Sequence, residues 1–124
     1  MINEVLLYLG SAFTALWGIA HLFPTKSVVS GFGEISVDNK RIITMEWIVE
    51  GIVLIFIGST NAIVTFIDYT SLISRVMYFS SAGVLIVLAL VSLFTGFKIS
   101  FLPFKLCPVI FFTSAVLILV GCFV

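Results

Sequence analysis

Histidine occurs once in this 124-residue chain, cysteine twice and proline three times, and charged side chains make up only 10% of it. Each shortage removes a class of chemistry. With one histidine and no Cys-x-x-Cys pair, neither a zinc cluster of ordinary spacing nor a redox dithiol can be assembled from the chain. Cys107 and Cys122 fall in one apolar run, about 22 Å apart along a helix rising 1.5 Å per residue, too far for a disulfide. They read as small apolar fillers. Six basic residues balance six acidic ones, so no basic stripe exists and nucleic acid is excluded as a partner. Internal repeats, low-complexity tracts and a second domain are absent as well.

What is present is apolar. Hydrophobic residues make up 61% of the chain and the mean hydropathy is +1.32, against roughly 45 to 50% apolar usage in soluble domains. One core of this size cannot hide that much apolar surface, so the lipid bilayer is the consistent solvent. Four runs, residues 2–23, 42–66, 72–97 and 106–124, meet the length of about 17 to 25 residues for a spanning helix. Such continuous runs suit helices and not the alternating strands of a membrane barrel. The predicted fold class is all-α: a polytopic membrane protein, an antiparallel four-transmembrane-helix bundle forming one domain over residues 1–124. The first run has no cationic flank and is too long for a signal-peptide core, so it is expected to be retained.

The positions of the basic residues set an orientation. Lys26, Lys40 and Arg41 follow the first run, Lys98 and Lys105 follow the third, and Arg75 alone lies on the other side. The positive-inside rule makes the five-residue side cytoplasmic, with both termini outside, in a bacterial inner membrane. The short connections "IDYTS" and "KISFLPFK" make successive helices neighbours. The cytoplasmic loop 24–41 is longer. Its Val28, Phe32 and Ile35 could form one apolar stripe on a surface helix, which Gly31 and Gly33 oppose, leaving it either an ordered loop or a lid. Ser36, Asp38 or Asn39 is placed to cap the second helix.

"TMEWIVEG", residues 44–51, sets Glu46 and Glu50 one helical turn apart, about 40° around the axis, inside the second run. An acid at mid-span costs about 2.5 to 3.5 kcal/mol on insertion scales, so each needs a proton, a partner or a wet cavity. Aligning the first two runs at their cytoplasmic ends puts His21 at the depth of Glu46, with Glu50 one turn deeper. Thr14, Trp17 and His21 share a stripe on the first helix facing the acids. The predicted site is therefore Thr14, Trp17, His21, Glu46 and Glu50, holding a shared proton, with a protonated His21 compensating Glu46. Trp47 reads as an interfacial anchor. Glu4, Asn61, Asp68 and Arg75 sit near the outer helix ends, where an Asp68–Arg75 or Glu4–Arg75 pair is expected. Gly51, Gly58, Ser80, Ser81 and Gly83 read as points of close helix approach.

"LWGIAHLFP", residues 16–24, a small-residue first span ending in Gly-x-x-His-x-x-Pro, resembles the first helix of the DoxX-like superfamily of small four-helix membrane proteins. The matching positions are Gly18, His21 and Pro24, and the chain length and four-span layout are also similar. The resemblance implies a compact bundle that partners a membrane or quinone-linked redox enzyme, or acts as an assembly factor.

Three functions fit the residues. The bundle can bind a lipophilic small molecule between the first two spans, with His21, Glu46 and Glu50 handling protons or a cationic group. It can be a proton- or cation-coupled transport element, with Asn61 and Asp68 extending a polar path outward. Or it can be a non-catalytic interaction protein, as a homodimer or with another membrane protein. Glu-x-x-x-Glu plus one histidine is short of a dinuclear carboxylate site, and no metal site is assigned. Cofactor and catalysis are left open.

Overall fold

The computed structural model describes residues 1–124 and is helical throughout: α1 (Ile2–Leu22), α2 (Thr25–Ser30), α3 (Val37–Asp68), α4 (Leu72–Phe94), a 3-10 turn (Gly96–Lys98) and α5 (Leu102–Phe123). Four of these, α1, α3, α4 with its 3-10 extension, and α5, are long and apolar enough to cross a membrane.

α1 lies between α3 and α5, and α5 packs in turn on α4. The sequence of α1 explains its central place. Its buried positions Leu7, Gly10, Ser11, Thr14, Gly18 and His21 repeat every three or four residues and are mostly small, so two neighbours can approach its backbone. A Cβ at Gly58 would meet the Ser11 carbonyl oxygen at 2.5 Å, and one at Gly18 would meet the Gly51 carbonyl oxygen at 2.8 Å. Leu22 closes over Gly51. On the other flank Gly10 faces Ser114 and Ile118, and Gly121 faces Asn3 and Leu7. These contacts set the register of α1 against both neighbours. The core between them holds Leu7, Leu54, Tyr78, Leu85, Phe111 and Ile118.

Three buried hydroxyls are satisfied within their own helix, whereas that of Ser114 in α5 has no partner. Ser11, Thr14 and Thr65 each donate to the carbonyl four residues earlier, which removes the cost of an unpaired donor in apolar surroundings.

Several boundaries differ from the sequence expectation. α3 begins at Val37 instead of 42, capped by the Ser36 hydroxyl, which accepts from the Asn39 N–H at 3.1 Å. At 32 residues it is about 48 Å long. α5 begins at Leu102 instead of 106, with Pro103 in its first turn, where a proline's missing N–H costs nothing. Residues 24–41 are shortened by α2, which stops at Ser30. Gly31 and Gly33, the latter at φ 73°, turn the chain before Phe32 and Ile35 can extend its stripe. Neither expected outer ion pair forms. The Asp68 carboxylate accepts from the Thr70 N–H and hydroxyl, and the acid–base contacts within 4.0 Å are His21–Glu50 and Asp38–Arg41. Ser80 is exposed, and Gly83 is exposed with nothing within 4 Å of where a Cβ would stand, whereas Gly51 and Gly58 make close approaches.

Candidate functional site

The lone imidazole is the centre of the site. His21 ends the buried stripe of α1 and is 8% exposed. The Trp47 indole stacks on its ring, centroids 3.8 Å apart and planes 17° from parallel. Trp47 Nε1 also donates to the His21 carbonyl oxygen at 2.7 Å. That carbonyl belongs to the last turn of α1, where no intrahelical donor is available, so one side chain fixes both the ring and the backbone of His21.

On the ring's edge, Nε2 stands 3.4 Å from Oε2 of Glu50. The two are close without an aligned hydrogen bond. The Glu50 side chain is 39% exposed and that of His21 5%, so the carboxylate lies at the border of the bundle with the imidazole behind it.

Two hollows flank this pair. The inner one, about 130 Å³, is lined by Trp17 and His21 of α1, Trp47 of α3, and Phe101, Phe104 and Cys107 at the start of α5. Phe104 tilts against Trp47 at 5.5 Å. The outer one, about 420 Å³, is a groove between α3 and α4 lined by Glu46, Trp47, Glu50, Val53, Leu54 and Leu88. Trp47 belongs to both. The wall between them is thus the stacked Trp47–His21 pair and the Glu50 carboxylate.

No family model, characterised protein or solved structure matches the chain. The side chains alone therefore carry the functional reading.

Of the residues predicted from sequence, Trp17, His21 and Glu50 come together around the inner hollow and its wall. Glu46 does not join His21. It is exposed in the outer groove and has no ion-pair partner, so the acid that meets the imidazole is Glu50, one turn on from the expected one. Thr14 is fully buried and its hydroxyl is held by the Gly10 carbonyl at 2.9 Å. It stands two turns from His21, about 10 Å along the axis, and is a packing residue. No three ligating side chains converge to hold a metal ion.

Residues the sequence reading missed are Trp47 as a ring partner, and Phe101, Phe104 and Cys107. A tryptophan between two acids, on the helix next to a histidine, was a usable signal for the first. The α5 residues had none, because nothing in the sequence says that α5 and not α4 packs beside α1.

Farther along α3 a second polar group forms. Ser81 donates to Asn61 Oδ1 at 3.1 Å, and the Thr65 and Tyr78 hydroxyls share a 2.8 Å hydrogen bond. Asn61 is fully buried, not a helix-end residue. Buried Leu54 and Ile57 lie between this group and Glu50, so the polar residues are two islands separated by apolar packing.

Proposed function

We propose that the chain is an integral membrane protein, an antiparallel four-helix bundle with its basic end cytoplasmic and its termini outside, that binds a lipophilic small molecule in the inner hollow beside His21. The observation that carries the reading is the buried imidazole, clamped between an indole face and a carboxylate at the edge of an aromatic-lined hollow. A titratable pair placed where charge is expensive is a functional arrangement by default. The antiparallel order is supported by the glycine contacts, in which rising positions on α1 meet falling positions on α3 and α5.

Size narrows the ligand. About 130 Å³ is near the scale of an engineered cavity of about 150 Å³ that takes benzene, which suits one ring-shaped headgroup with the rest of the molecule in lipid. His21 and Glu50 then hold or exchange a proton at the ring's edge, the kind of site a partner of a membrane redox enzyme would use. The Gly18–His21–Pro24 resemblance to DoxX-like proteins agrees with such a role. Coupled transport has less support, because Leu54 and Ile57 interrupt the polar path. An interaction or assembly protein is the second reading, favoured by one observation: Glu46 lies exposed in the α3–α4 groove with no cation of its own chain beside it, as a site for a partner helix would.

Native mass spectrometry of the detergent-extracted protein tests the first reading. A small molecule retained by the wild type and lost on Glu50→Gln supports it; an empty wild-type mass, unchanged by the substitution, overturns it.

A further inference from the structure

Five of the six cations lie at one end of the bundle, and they differ in what they touch. Lys105 Nζ donates to the Phe97 carbonyl at 2.8 Å and stands 5.0 Å over the Phe97 ring. Arg41 has Asp38 at 4.0 Å. Lys26 of α2 and Lys40 in the first turn of α3 have no acidic partner, and both line one cleft of about 430 Å³ together with Thr25, Ser30 and Thr44. The three hydroxyls direct their protons to the carbonyls of Leu22, Ser27 and Lys40. The cleft's attraction for an anion is therefore the two ammonium groups, brought together from separate helices.

The cleft does not end at the charges. Lys40 and Thr44 also border a second hollow on α3, shared with Arg41, Met45 and Ile48, so a cationic mouth runs on to an exposed apolar track on a spanning helix. A free anion has no use for that track. We propose that the α2–α3 cleft binds an anionic phospholipid, its phosphate between Lys26 and Lys40 and an acyl chain along Met45 and Ile48. The proposal rests on the membrane reading above and is independent of the His21 site. Lysines at a membrane surface each add to the attraction for anionic lipid, and two facing one phosphate set a preference of about thirtyfold.

Native mass spectrometry with phosphatidylglycerol and phosphatidylcholine of identical chains reads the preference. Phosphatidylglycerol adducts should exceed phosphatidylcholine adducts about thirtyfold. The K26Q/K40Q double variant should lose this preference, while K26R/K40R, K98Q and R75Q keep it, with circular dichroism confirming that each variant folds. Equal retention of the two lipids overturns the proposal. So does an equal loss in K98Q, which would mean diffuse surface charge, or displacement of the lipid by millimolar inorganic phosphate, which would make a free anion the occupant. Alkaline carbonate washing of membranes separates the two levels. A wild-type protein that washes off removes the membrane reading and this site with it, whereas one that stays but shows no lipid preference removes this site alone.

Discussion

His21 Nε2 faces Glu50 Oε2 at 3.4 Å while the Trp47 ring covers the imidazole at 3.8 Å. The two acids of "TMEWIVEG" are thereby made unequal. Glu50 has an imidazole behind it, and Glu46 has none.

Glu50→Gln should change the imidazole ¹⁵N signals and Glu46→Gln should leave them where they are. The chain has a single histidine, so the assignment in a ¹⁵N-labelled sample is unambiguous. Equal responses to the two substitutions would contradict the geometry.

Trp47 has two separable roles. Trp47→Phe keeps a ring over His21 but removes the donor to its carbonyl, at a cost of about 1 kcal/mol. Trp47→Ala also empties the wall between the two hollows and should cost about 3 to 5 kcal/mol. Reversible unfolding in mixed micelles measures both.

The close approach of α1 and α3 depends on the missing side chains. Gly58→Ala puts a methyl group 2.5 Å from the Ser11 carbonyl oxygen and 2.6 Å from Ala15 Cβ, and should destabilise by about 1 to 3 kcal/mol or more. Gly83→Ala meets nothing within 4 Å and should be neutral or slightly stabilising, since alanine is the better helix former. The difference in thermal midpoint between the two variants is the test.

The Thr65–Tyr78 hydrogen bond ties α3 to α4 in the half of the bundle away from His21. A double-mutant cycle of Thr65→Val and Tyr78→Phe should give a coupling of about 0.6 kcal/mol, the usual size for such bonds between membrane helices. A coupling of zero would mean that the bond is not formed.

The sequence by itself determined the material of this protein. Four long apolar runs with few charges make four long helices, because in apolar surroundings each backbone N–H and C=O is best satisfied within its own segment. It also marked the residues out of place, since one histidine and two acids in such runs are visible without coordinates. Only the tertiary structure decided which acid meets the histidine. Aligning α1 and α3 at a common boundary pairs His21 with Glu46. The observed register, with Gly18 seated on Gly51 and Gly58 on Ser11, puts His21 level with residue 48, midway between the acids, and because side chains lean toward the N-terminus of their own helix, His21 leans deeper and Glu50 leans back to meet it. Packing of small residues fixes helix register through contacts of a few tenths of an ångström, and hydropathy carries no information at that scale. The same limit hid Phe101, Phe104 and Cys107, which reach the site because α5 packs beside α1, a choice of neighbour made by the fit of Gly10 and Gly121 and not by the order of the helices along the chain.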